Sequence, residues 1–197
     1  MRTQRTDTST TASPWRLRRI FKPRQHRVDD STFFAGELDS TKDPTHIMAE
    51  NMRKQGLVPK ADSQAFQIVL SAFSHVQDVF SGEVVIPDIS YVCTYDMAAQ
   101  PKGASSRTAD AVAYFTTNGE TKLYGLAVSV QAICKGGDYL LFVIIHELAH
   151  IILEAAGKNG EMSHDEVFEA YLLELLRYFN EQTGKHLKND FSGYGET

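Results

Sequence analysis

Between Leu140 and Leu153 the chain is apolar at every position except His146, Glu147 and His150. A helix built from Leu140-Leu141-Phe142-Val143-Ile144-Ile145 and Ile151-Ile152-Leu153 is hydrophobic nearly all round and belongs in the middle of a core. Two imidazoles and a carboxylate in such a place are costly unless something satisfies them. The spacing says what could. His146 and His150 are four residues apart, so on a helix they project from one face and both ring nitrogens can reach one zinc ion at about 2.0–2.1 Å. Glu147 is turned by about 100° from His146, off the ligand face but within reach of water held at such an ion. His146-Glu147-Leu148-Ala149-His150 is thus the HExxH pattern, in which two histidines bind zinc and the glutamate serves as general base in the hydrolysis of an amide.

A catalytic zinc needs a third protein ligand and an open position. His164 follows His150 by fourteen positions, after a connection containing Gly157 and Gly160, and the spacing sets it in the first turn of the next helix. Glu169 lies nineteen beyond His150, on that same helix. The two are five residues apart and point about 140° from one another, so they do not ligate together. Glu154, Glu161, Asp165 and Glu166 are further carboxylates in the same interval. Phe168, one turn past His164, is placed to pack beneath that ligand.

Around this centre the pattern is mixed α and β. Asp43-Pro44 suits an N-cap and first helical residue, with a short helix to Gly56. Phe66, Val69, Leu70, Phe73, Val76 and Phe80 recur at three- and four-residue steps from Ser63 to Phe80, an amphipathic helix on which His75 is a surface residue. Ile89, Tyr91, Cys93, Tyr95 and Met97 then alternate as in a half-buried strand. Ala111–Thr117 and Thr121–Val130 flank Asn118-Gly119, a signal for a two-residue hairpin turn. Three or four strands follow, in a small antiparallel or mixed sheet, with strand 123–130 as a candidate edge for an extended peptide. Asp138 is a candidate N-cap and Gly157 a candidate C′ residue of the HExxH helix. Ser163-His164-Asp165-Glu166 fits a capping box for a last helix ending near Thr183-Gly184. No oxyanion donor is identifiable from the sequence: Tyr178, His186 and Tyr194 are candidates, but packing or surface positions suit each of them better.

The composition, 42% hydrophobic and 23% charged over 197 residues, excludes collagenous, wholly disordered and disulfide-scaffold classes. Cys93 and Cys134 lack a CxxC spacing and read as buried free thiols in a reducing compartment. No uncharged run approaches the roughly 20 residues of a membrane span. The net charge of −5 hides an asymmetry: residues 1–27 carry eight Lys/Arg and one Asp, leaving −12 on the remainder. Residues 1–32 therefore read as a basic arm too polar to bury itself, joined to a single domain over 33–197. Organelle transit segments, nuclear addresses and polyanion-binding arms share this composition. In the last case Arg16, Arg18, Arg19, Lys22, Arg24 and Arg27 would meet nucleic-acid phosphates.

The run Val143-Ile144-Ile145-His146-Glu147-Leu148-Ala149-His150-Ile151-Ile152, with His164-Asp165-Glu166-Val167-Phe168 after it, resembles the WLM and SprT-like group of minimal zinc metallopeptidases. Their pattern is HELAH, a variable loop, and H-x-x-x-[F/W] opening a helix. The resemblance covers residues 85–183 and its specific part is those two motifs. It implies an α+β zincin-like fold, Zn²⁺ as cofactor, His146, His150 and His164 as ligands, and Glu147 as base. It also implies a protein or peptide substrate, in some members protein attached to DNA, and domains of this kind also occur in viruses; the free thiols add the expectation of an intracellular setting, cytoplasmic or nuclear. This chain departs from the group in its longer, acidic interval before His164 and has no cysteine zinc-binding appendage.

Overall fold

The structure, a computed structural model, describes residues 43–158 and 164–189. The basic arm expected over residues 1–32 lies outside them. Five α-helices and three strands follow in the order α1 (Pro44–Lys54), α2 (Ser63–Phe80), β1 (Ile89–Tyr95), β2 (Ala111–Asn118), β3 (Thr121–Ser129), α3 (Val130–Cys134), α4 (Gly137–Ala155) and α5 (Glu166–Thr183). None of the described helices is long and apolar enough to cross a membrane.

The sheet has the order β1-β3-β2, with β3 antiparallel to β2 and parallel to β1. The architecture is therefore α+β with a mixed sheet, and strand 123–130 is its centre, not an edge. The physical reason is the connection from Asp96 to Asp110. It carries the chain across one strand width and leaves a slot that the β2–β3 hairpin fills. A central strand is covered on both faces, and β3 is buried without interruption from Leu123 to Ser129. The hairpin pairs Asn118 with Thr121, so the loop is Gly119-Glu120, one residue later than the Asn-Gly signal suggests. Gly119 supplies the positive φ, +62°, at its first position.

One face of the sheet is covered by α1, through Met48, Ala49 and Met52 against Tyr91, Cys93, Tyr95, Tyr114, Leu123 and Ala127. The other face carries α2 and α4, with α5 packed on both helices. Cys93 is buried in the first layer, whereas Cys134 ends the short helix α3 and is exposed, contrary to the expectation of two buried thiols. His75 is a surface residue that meets the edge of Phe179.

Two local devices set β2 against α4. Gln100, only 2% exposed, inserts its side-chain amide into the 96–110 connection. Its Oε1 accepts from the Val58 N–H at 2.8 Å, and its Nε2 donates to the Val58 and Asp96 carbonyls, each at 2.9 Å. Asp110, just before β2, accepts from Lys135 Nζ at 2.7 Å and from the Tyr139 hydroxyl at 2.6 Å, which ties the strand to the first turn of α4. At that turn the N-cap is Gly136 at φ +106°, not Asp138. Asp138 lies inside the helix, where a carboxylate favours the positive end of the dipole, and pairs with Lys185. At the other end Gly157, at φ +67°, is the C′ residue: its N–H reaches the Glu154 carbonyl and that of Lys158 the Leu153 carbonyl.

α5 begins later than its capping-box reading. Asp165 is the N-cap, its Oδ1 accepting from the Phe168 N–H at 2.9 Å. Ser163 lies outside the described residues. Aspartate caps as well as serine, and capping from 165 leaves His164 before the helix, not in its first turn.

Gly125 fixes how closely α1 approaches β3. A Cβ there would lie 2.8 Å from Met48 Cγ and 2.9 Å from Met52 Sδ. In urea unfolding, Gly125→Ala is expected to cost about 1–2 kcal/mol and Gly125→Val about 3 kcal/mol. Met48→Ala combined with Gly125→Ala should cost less than the sum of the two single changes, because the truncated side chain vacates the contested space.

Candidate metal centre

α4 is buried from Tyr139 to Leu153, and its three ionisable groups are divided between two neighbours. His146 and His150 turn toward α5, while Glu147 turns toward β2. Their Nε2 atoms meet that of His164, at 3.0 Å from His146 and 3.1 Å from His150. Ring nitrogens around a tetrahedral zinc are separated by about 3.3 Å, so the observed spacing lies within a few tenths of an ångström of that arrangement. The donor chemistry fits as well. Burial, and then the crowding of neighbouring imidazoles, pushes His146 down to about 3; burial and His164 push His150 down to about 4. Both rings are therefore neutral at pH 7, the form that donates a lone pair to a metal. His146, His150 and His164 form a group that could hold a metal ion, with two members buried and His164 exposed.

Phe168 is the floor of this group. Fully buried, it stacks on His150 with centroids 4.0 Å apart and planes at 19°. It meets His146 and His164 edge-on at 5.0 and 4.9 Å. The N-cap at Asp165 puts it there: the first turn of α5 delivers Phe168 under rings that His164 closes from above.

Glu147 is the other half of the site. Its Oε2 accepts from the backbone N–H of Ala113 on β2 at 2.6 Å. Burial raises its carboxyl to about 7, and the Ala113 bond only partly offsets that. The partner was not visible in the sequence, because a backbone N–H has no residue type. The usable signal is strand parity, with the small Ala111 and Ala113 side chains facing α4 and letting the carboxylate reach the strand.

The alternative third ligands lie elsewhere. Glu169 is exposed and accepts from Asn189 Nδ2 at 2.7 Å. Glu154 pairs with Lys122 at 2.7 Å, Asp165 caps α5, and Glu166 is exposed in its first turn; Glu161 lies outside the described residues. The proposed oxyanion donors are not assembled here either: Tyr178 packs on Phe80 with centroids 6.0 Å apart, and His186 is exposed beyond α5. Tyr194 lies outside the described residues. No family model, curated protein or solved structure matches this chain.

These protonation states give the metal-free protein a defined pH response. The two histidines have folded values below that of the unfolded chain, so their stability is present above about pH 6.5 and is lost as pH falls. Glu147 has a raised folded value, so its ionisation destabilises as pH rises from about 4.5 through 7. Glu147→Gln keeps an acceptor for Ala113 and removes the charge. The metal-free variant should melt roughly 5 °C above the metal-free wild type at pH 8. The gap should close toward pH 5, where the wild type carries the proton itself; a constant gap would contradict this assignment.

Proposed function

We propose that the chain is a zinc-dependent metallopeptidase that hydrolyses peptide bonds in a protein or peptide substrate. The observation that carries the reading is the convergence of three histidine Nε2 atoms beside a buried glutamate that is not one of them. A site serving structure alone has no use for that fourth group. The HELAH run and His164-x-x-x-Phe168 support the same conclusion through their resemblance to WLM and SprT-like peptidases, and with it a zincin-like fold.

His146, His150 and His164 would hold the ion. Zinc bound there supplies Lewis-acid polarisation of a carbonyl and a lowered pKa for water. Glu147 then has the work of a base. Oε2 is anchored on Ala113 and Oε1 has no hydrogen bond among the described residues, so Oε1 is the atom left to receive a proton from water and return it to the departing amine nitrogen. In the metal-free protein burial holds this carboxyl near 7; an ion bound beside it would draw that value down and favour the carboxylate, the form that takes a proton from water. β2, the edge strand next to Glu147, replaces β3 as the strand along which an extended substrate chain would lie.

Elemental analysis after identical purification with zinc supplied should give one zinc per wild-type chain. His164→Ala should lose most of it and Glu169→Gln none. Glu147→Ala should retain the metal and lose about 10²–10⁴-fold in peptide hydrolysis. A wild type without zinc, or a Glu147→Ala variant with full activity, would refute the reading.

A further inference from the structure

Phe115 stands out among the side chains around β2. Of the large apolar residues that are exposed among those described, it is the one aromatic, and it is 39% exposed. Isolated exposed hydrophobics are ordinary; Phe115 is distinguished by where it sits. Ala111 and Ala113 belong to the core under α4, and Val112 and Tyr114 face α1. Phe115 therefore points to the α4 side of the sheet, opposite Tyr124, which is only 5% exposed. Sharing a face with a buried neighbour, Phe115 stays open because it is on the edge.

Its level along α4 follows from two fixed points. Ala113 touches Glu147. Thr117 pairs with Lys122, whose Nζ lies 2.7 Å from Glu154. Four strand residues span about 13 Å and seven helical residues about 10.5 Å, so β2 and α4 run side by side in the same direction. Phe115 is midway between these points, level with the turn that carries His150 and Ile151. Its backbone is also held: the Phe115 carbonyl accepts from Asn51 Nδ2 at 3.3 Å. Ala113 N–H and Phe115 C=O both turn away from β3, as alternate residues of an antiparallel ladder do. Ala113 N–H is taken by Glu147 and Phe115 C=O by Asn51, so the outward groups left on this stretch of edge are Ala113 C=O and Phe115 N–H, and an extended chain that pairs through them has its side chains beside the Phe115 ring.

We propose that Phe115 is a specificity-determining residue, forming the wall of a subsite that takes a large apolar or aromatic side chain of an extended peptide. The assignment rests on the peptidase reading, and its test separates the two. Lys122, two residues from the Phe115 partner Tyr124 on β3, has its charge paired with Glu154 at 2.7 Å.

The test uses the full chain loaded with zinc and a set of ten-residue peptides differing at one position at a time. The wild type should favour Phe over Ala at one position by about tenfold or more in kcat/KM. Phe115→Ala should reduce that ratio to within about twofold, and Phe115→Leu should restore most of it. Zinc content should be equal in all three. An unchanged ratio in Phe115→Ala, or a wild type without apolar preference at any position, would overturn the assignment. Capture of the same peptides by zinc-loaded Glu147→Ala provides a reading independent of turnover. If the wild type cleaves nothing, capture of Phe-bearing peptides that is lost in Glu147→Ala/Phe115→Ala retains the subsite and retires the peptidase. No capture, or equal capture by both variants, overturns the subsite.

Discussion

The structure depends on one costly requirement, that a helix buried from Tyr139 to Leu153 carries two imidazoles and a carboxylate through the core. Each unsatisfied polar group in such surroundings costs on the order of 1–3 kcal/mol. The fold meets this by giving each side of α4 a separate polar partner. The α5 side offers a third imidazole and an aromatic floor; the β2 side offers a main-chain N–H. The surrounding fold positions those two partners. Gln100 and Asp110 set the start of β2, the hairpin sets its register, and Asp165 starts α5 where Phe168 can reach the rings.

This division also gives the two kinds of ionisable group opposite electrostatic shifts. Burial among one another lowers His146 and His150 and keeps both rings neutral at pH 7. The Glu147 carboxyl, buried beside a single N–H, is raised to about 7. The same low dielectric thus pushes acid and base in opposite directions on adjacent residues of one helix.

Much of this was legible in the residues. α2 spans Ser63–Phe80 as its periodicity requires, and α1 starts at Asp43-Pro44 as its cap signal requires. The spacing of His146 and His150 determined their common face, and His164 joins them. What was not legible depends on relations between distant segments. The parallel pairing of β1 with β3 is decided by the length of the 96–110 connection, which has no periodicity to read. The uninterrupted apolar stretch after Leu123 was the available sign of a central strand, and alternation elsewhere in the sheet masked it. Asp165 and Ser163 are both competent caps, and local sequence does not choose between them. Ala113 enters the site through its backbone, which every residue type shares.

The placement of His164 just ahead of the α5 cap has a mechanical meaning. Two of the three nitrogen donors belong to a single rigid helix, and the third hangs on the connection that joins that helix to the next. An ion gripped by all three rings ties this connection shut at its end, much as a covalent crosslink closes a loop, and removes chain entropy from any state in which α5 has swung away. The docking of α5 against α4 and the occupancy of the three rings are then one equilibrium seen from two sides. A condition that peels α5 off the bundle would part His164 from His146 and His150, and an ion held by the three rings would resist that separation.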